Sequence, residues 1–165
     1  MASEKIIAQK VELVNEVTAK MNAATSTVIV DYRGLTVGEV TQLRRELREA
    51  GVEMHVFKNN LLRRAADEVN CSELKEHLAG PNAALFATTD ATAAARVAHN
   101  FAQTHAALEL KAGIMEGAYV DQASLKELAL LPNREGMYSM LLSVLQAPIR
   151  NIAVVAKAIG EQKEQ

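Results

Sequence analysis

The sequence predicts an α/β fold, a mixed sheet covered by helices and followed by a protruding C-terminal helical tail. Three observations carry this. Over residues 1–132, segments with apolar residues three and four apart alternate with short β-branched runs, the pattern of helices laid on a sheet. Those runs are bounded by Gly, Pro, Asn and Asp, as strands are. Beyond Leu131-Pro132 the alternation stops, and residues 134–159 read as a helical stretch with more hydrocarbon than a solitary helix can show to water. The division predicted is a domain over residues 1–132 and a tail over residues 133–165.

Taken in order, Ile7, Val11, Val14, Val17 and Met21 recur at helical spacing and set a first helix over residues 4–22. Thr27-Val28-Ile29-Val30 is β-branched throughout and suits a buried strand. Asp31-Tyr32-Arg33-Gly34-Leu35 then turns, with Gly34 able to take positive φ. Thr36 and Glu39 form a capping box that opens a helix with an inner face of Val37, Val40, Leu43 and Leu47, closed by Gly51. Residues 52–57 alternate as a second strand. Asn59 or Asn60 caps the next helix, which buries Leu61, Leu62, Ala65, Ala66 and Val69. Ser72 caps a short helix ending near Leu78, and Gly80-Pro81 turns into a strand over residues 83–87. Asp90 caps an alanine-rich helix carrying Val97 and Phe101. Residues 108–115 and 118–120 form a hairpin around Glu116-Gly117, and Asp121 caps a helix ending at Leu131. The strand order is not encoded in this pattern.

The composition narrows the function classes. With 49% hydrophobic and 23% charged residues in a chain of 165, one core-forming soluble domain with an appendage is expected. No apolar run approaches the roughly 20 residues a bilayer requires, so no membrane partner is expected. Met1-Ala-Ser-Glu-Lys opens an amphipathic helix and lacks the apolar block of a signal peptide. A single cysteine, Cys71, excludes an internal disulfide and fits a reducing cytosol. Net charge is −2, but residues 1–64 hold 10 Lys/Arg against 8 Asp/Glu while residues 65–165 hold 8 against 12. A polyanion should therefore meet the first half, at one patch.

Catalytic motifs are absent. The chain has neither GxGxxG nor GxxxxGK[ST], so it lacks both common phosphate-cradling loops. His55, His77, His99 and His105 show no metal spacing with Cys71, and no serine sits in a glycine elbow. The expectation is a protein that is not an enzyme and needs no cofactor or metal.

Two loops carry the binding argument. Tyr32-Arg33-Gly34 follows the first strand and Lys58-Asn59-Asn60 follows the second. If those strands run the same way, both loops lie at one end of the sheet. Arg63 and Arg64 add cations one turn into the helix after Lys58, and Tyr32 offers a ring to an unpaired base. By composition alone, solvated helix faces interleaving Arg44, Arg45, Arg48, Arg63 and Arg64 with Glu46, Glu49 and Asp67 remain the commoner explanation of these charges.

The run Val30-Asp31-Tyr32-Arg33-Gly34-Leu35-Thr36-Val37 resembles the bacterial large-subunit ribosomal protein L ten family, the stalk-base proteins. So do Leu43-Arg44-Arg45-Glu46-Leu47-Arg48-Glu49-Ala50-Gly51-Val52 and Val56-Phe57-Lys58-Asn59-Asn60-Leu61-Leu62-Arg63-Arg64-Ala65. Leu78-Ala79-Gly80-Pro81-Asn82-Ala83 and Leu128-Ala129-Leu130-Leu131-Pro132 fit as well; Asn60 departs from a threonine frequent in the family. The resemblance implies a ribosome-bound, cytoplasmic protein whose domain docks on large-subunit rRNA at the stalk base, beside a neighbouring stalk-base ribosomal protein. It also implies a tail that carries dimers of the acidic stalk protein L seven/L twelve, which recruit GTP-bound translation factors. The residues expected to meet RNA are Arg33, Gly34, Lys58, Asn59 and Arg63, with Lys5, Lys10, Arg44 and Arg64 as further candidates.

The tail suits that role. Tyr138, Leu141, Leu145, Ile149, Ile152, Val155 and Ile159 step by three and four, and Leu142 lies beside the stripe. Met137, Met140, Val144 and Val154 widen the apolar surface, as befits a helix gripped from more than one side. At an offset of eleven, Tyr138 matches Ile149, Leu141 matches Ile152, Val144 matches Val155 and Leu145 matches Ala156, with a kink or break expected at Pro148 between the blocks. Two blocks would seat two dimers. Residues 161–165 should fray. The alternatives are a tail packed back on its own sheet, and a ribosome-assembly or RNA-turnover factor on the same fold, which has no need of a naked apolar helix.

Overall fold

The structure, a computed structural model, describes residues 4–69, 71–132 and 134–163, with side chains described for 10–69, 71–132 and 135–155. The expectations placed on the side chains of Lys5, Ile7 and Ile159 lie outside the described residues. Two compact units are present, Met1–Leu131 and Pro132–Gln165.

The first unit runs α1 (Glu4–Ala23), β1 (Ser26–Asp31), α2 (Val37–Glu49), β2 (Val52–His55), α3 (Asn59–Glu68), α4 (Leu74–His77), β3 (Asn82–Ala87), α5 (Ala93–Thr104), β4 (Glu109–Met115), β5 (Ala118–Asp121) and α6 (Gln122–Leu130). The second is α7 (Arg134–Lys163). Elements therefore appear in the expected order, forming an open sheet covered by helices. The strand order, β2-β3-β1-β4-β5, pairs each neighbour antiparallel. Because β3 lies between them, β1 and β2 still run the same way, and their C-terminal ends share one end of the sheet with the start of β3.

The β-branched run of β1 becomes the central strand because it is buried on both faces. Val28 and Val30 meet Leu43 and Leu47 of α2, Ala94, Ala98 and Phe101 of α5, and Leu125 of α6. Ile29 points the other way, to Val17 and Met21 of α1, Leu62, Ala65 and Ala66 of α3, and Leu74 of α4. The period of two in the strand thus distributes side chains between two helical layers. Register in β1 and β4 shifts between Ile29, opposite Ala112, and Val30, opposite Leu110, so Lys111 is the extra residue of a β-bulge. The β4–β5 hairpin turns at Glu116 and Gly117, both at positive φ (51° and 82°), as a two-residue hairpin loop requires.

Several local expectations are corrected. Val11 is exposed and Val37 is 86% exposed, so among the described side chains the buried faces of α1 and α2 begin at Val14 and Leu43. A three-to-four spacing shows which residues share a face, not how far along the helix its partner reaches. Strand β2 stops at His55, before Phe57. Neither Asn59 nor Asn60 caps α3. Lys58 holds that position without a side-chain cap, while Asn59 Nδ2 donates to Gly80 O at 2.8 Å. Ser72 is not the cap of α4, and its hydroxyl donates to Asp67 instead. Asp90 lies two residues before the cap position of α5, where its carboxylate accepts from the backbone N–H and hydroxyl of Thr92. Asp121 holds the cap position of α6 without a side-chain cap bond. The Thr36–Glu39 capping box forms as expected.

Helix α7 runs through Pro148 without a break and continues to Lys163, past the point where fraying was expected. Proline at Pro148 removes the N–H that would reach the Val144 carbonyl, and on an exposed helix water can meet that carbonyl. Within it Glu135–Val155, 21 residues, is long and apolar enough to cross a membrane by length and composition, which corrects the expectation from strict apolar runs. Gln146, Pro148, Arg150 and Asn151 interrupt the run without lowering its average below that of a spanning segment.

Candidate functional site

Three connections meet at the shared end of β1 and β2. The first is the turn after β1, closed by Leu35 N–H donating to Tyr32 O at 3.3 Å. Gly34 occupies its third position at φ 90°, where a side chain would be strained, and a Cβ would also press against Ala107 at 3.4 Å. Upstream, Asp31 accepts the Arg33 backbone N–H at 3.0 Å, leaving the Arg33 side chain exposed with no ion-pair partner among the described residues. The second connection leads from β2 into α3, and the third runs through Gly80 and Pro81 into β3. Tyr32, Val56, Phe57, Lys58, Asn59, Asn60, Gly80, Pro81 and Asn82 line one shallow depression of about 370 Å³ between them.

A second groove, of about 600 Å³, shares Val56, Phe57, Lys58 and Asn60 with the first and adds Lys10, Leu13, Leu61 and Arg64. Lys10, distant in sequence, is therefore brought to one surface with Lys58 and Arg64. None is ion-paired among the described residues, so each cation is available to an anion from solution. The apolar side chains of Leu13, Phe57 and Leu61 beside three cations suit a ligand with phosphates and flat bases.

Other candidates are engaged in holding the fold or lie elsewhere. Arg63 donates through Nη2 to Leu78 O at 2.8 Å, tying α3 to the end of α4. Asn59 accepts from Asn82 Nδ2 at 3.3 Å besides its bond to Gly80, so it holds loops together. Arg44 lies on α2, in the opposite helical layer, where with Arg48 it flanks the open edge of β2 in a groove of about 670 Å³ lined also by Val52, Glu53, Met54, His55 and Val56. Lys5 lies outside the described side chains.

Sequence reasoning missed the polar knot beneath these loops. Lys111 Nζ lies 2.8 Å from Asp31 Oδ2 and donates to Asn82 Oδ1 at 2.8 Å and Ala79 O at 2.7 Å. Burial alone would raise the Asp31 pKa, but Lys111 and the Arg33 N–H hold it below its ordinary value. Nothing local in Glu-Leu-Lys-Ala announces Lys111; its partners are far away along the chain.

Cys71, whose Sγ lies 3.7 Å from Gly117 O, sits toward the other end of the sheet. Burial, with the charge of Glu73 nearby, pushes the Cys71 thiol up, which disfavours the nucleophilic thiolate. Among the described residues no three His, Cys, Asp or Glu side chains are grouped to hold a metal. His77 is spent on Tyr119, whose hydroxyl lies 2.8 Å from its Nε2.

The candidate partner helix is α7. Its large apolar side chains from Met137 to Val155 are each 45% exposed or more, Tyr138, Leu141, Leu142, Leu145, Ile149, Ile152 and Val155 among them. Ile159 lies outside the described side chains.

Known proteins match both units. The family model described as ribosomal protein L10 covers residues 5–103, and that described as ribosomal protein uL10 C-terminal region covers residues 131–165. Curated proteins named large ribosomal subunit protein uL10, from Bacillus cereus (strain B4264) and Bacillus anthracis (strain A0248), are each 54% identical over 161 residues, 98% of this chain and 97% of theirs. The chain belongs to the ribosomal protein L10 family, whose members are structural constituents of the large ribosomal subunit and not enzymes.

Proposed function

We propose that this protein is the base of the ribosomal stalk, binding large-subunit rRNA through its α/β unit and dimers of the acidic protein L seven/L twelve through α7. It works in the cytoplasm, bound to the ribosome beside a neighbouring stalk-base protein, and its dimers bring GTP-bound translation factors to the subunit. Arg33, Lys58, Arg64 and Lys10 meet phosphates, and Gly34 lets backbone approach RNA closely.

The observation that carries this reading is the exposed apolar surface of α7, in a chain whose family is ribosomal. A helix so apolar in water needs a cover. A bilayer is a poor one, because Arg150 and Asn151 would sit inside the hydrocarbon flanking Pro148. A groove of partner helices buries the same side chains and leaves those polar groups at its rim. The eleven-residue repeat on either side of Pro148 favours two dimers, hence four partner chains.

Native mass spectrometry of the protein taken from its own cells after mild nuclease treatment tests the tail. One chain with four copies of a small acidic protein, lost on truncation at Pro132, is expected; one or three dimers would end the two-block reading, and a bare monomer the stalk reading. For the RNA end, Arg33→Ala with Lys58→Ala should weaken rRNA binding and lower the slope of log K against log salt by about 1.4 to 1.8, roughly 0.7 to 0.9 for each phosphate no longer neutralised. An unchanged slope would show the patch is misplaced.

A further inference from the structure

We propose that Lys111 is a positioning residue for RNA binding: an inward cation that clasps the three loops of the RNA-binding end without touching RNA itself. The inference rests on the reading of that end as the rRNA interface. Its observations are independent of that reading.

Lys111 is the extra residue of the β4 bulge, opposite the step from Ile29 to Val30. Bulges re-aim a side chain, and this one lets Leu110 and Ala112 enter opposite cores while Lys111 turns to the end of the sheet. There its ammonium, at the end of a side chain 19% exposed, has three protein partners. Asp31 belongs to the connection that carries Arg33, and its other oxygen accepts the Arg33 N–H. Ala79 O belongs to the turn before β3, and Gly80 lies over the ion pair, where an added Cβ would sit 3.6 Å from Asp31 Oδ2 and 3.8 Å from Nζ. Asn82 passes the link to Asn59, which in turn bonds Gly80 O and stands next to Lys58. An ammonium has three protons to donate, and here each has a partner from this network. One side chain thus joins the Arg33 turn, the Lys58 connection and the Gly80 turn.

The distinction from a residue that meets phosphate is measurable. Binding of transcribed large-subunit rRNA should be followed across a salt series for wild type, Lys111→Met, and the Arg33→Ala, Lys58→Ala pair. Lys111→Met should weaken binding roughly tenfold, the scale of ordering a loop on association, at every salt concentration and with the wild-type slope. Amide hydrogen exchange should quicken at Arg33, Gly34 and Asn60 while the β1 and β3 ladders keep their protection. Loss of protection throughout the sheet would mean a merely structural role and overturn the proposal. A slope lowered by about one would mean that Lys111 itself meets a phosphate, and would also overturn it. Wild-type binding by Lys111→Met, with the Arg33, Lys58 pair impaired, would remove the inference and leave the interface standing; wild-type binding by both would remove the interface too. Should Lys111→Met fail to fold, Asp31→Asn keeps an oxygen for the Arg33 N–H while removing the charge that anchors Lys111, and the same pattern of affinity and slope is expected of it.

Discussion

If α7 seats one dimer on each side of Pro148, truncating one side chain should loosen one dimer and spare the other. Leu145 is 66% exposed and Ile152 72% exposed, and they lie in different blocks. Full burial of such a side chain is worth about 1.5 to 3 kcal/mol, and about two-thirds of that remains to be gained from a partner, so each alanine substitution forfeits about 1 to 2 kcal/mol. At about 1.4 kcal/mol per tenfold, that is roughly a 5- to 30-fold weaker dimer. Alanine is the best helix former, so the loss cannot be assigned to a broken helix. Ser143→Ala, about 160° round the helix from Leu145, is the control and should change affinity less than about twofold. Calorimetric titration of each variant with purified acidic dimers should resolve one tight and one weakened step, with Leu145→Ala and Ile152→Ala weakening different steps. Equal loss at both steps, or release of both dimers by either change, would refute the two-block reasoning; no change from either would refute the stripe.

Two further outcomes test the fold that presents the site. At Gly113 an added Cβ would lie 2.9 Å from Thr27 O and 3.4 and 3.6 Å from the Leu125 methyl carbons, so Gly113→Ala forces β4 from the central strand or Leu125 from its place. A cost of about 1 to 3 kcal/mol is expected, read as a fall in thermal midpoint of several degrees by circular dichroism; an unchanged midpoint would contradict the packing. At Asp31 the folded pKa lies below its ordinary value of 3.8, despite burial acting the other way, because Lys111 and the Arg33 N–H favour the carboxylate. Its contribution to stability is therefore present above about pH 4 and lost as pH falls through the lower folded value. The gap in urea midpoint between wild type and Asp31→Asn should accordingly be widest near neutrality and close below pH 4, and a gap constant from pH 7 to 3 would show the ion pair contributes nothing.

What the sequence made legible was local or periodic. The β-branched run of residues 27–30 needed no partner to be read as a buried strand, and Thr36 with Glu39 announced their capping box at a spacing of three. The tail was legible for the same reason, since its hydrophobicity is a property of one helix. Asparagine and serine misled at Asn59 and Ser72. Both have short polar side chains that bond whatever the fold presents: Asn59 Oδ1 accepts from Asn82 and its Nδ2 donates to Gly80 O, while the Ser72 hydroxyl donates to Asp67. Arg63 was legible as a charge, while its reach to Leu78 O was not.

The proposed RNA end was half legible, and the division is physical. Arg33 and Lys58 stand beside strand ends, so the alternation of elements located them; that both lie at one end follows from β3 passing between β1 and β2, pairings between strands far apart along the chain. Arg64 follows Lys58 along α3, whereas Lys10 joins them only through the packing of α1 on α3. Lys111 is the extreme case. Its neighbours Leu110 and Ala112 read as an ordinary alternating strand, and a bulge is invisible in a pattern of period two until the opposing strand is known. Cations that meet solvent can be guessed from where charge accumulates along a chain. Cations that hold loops in place answer to partners the chain supplies from elsewhere, which is why Lys111 emerges only once Asp31, Ala79 and Asn82 are seen around it.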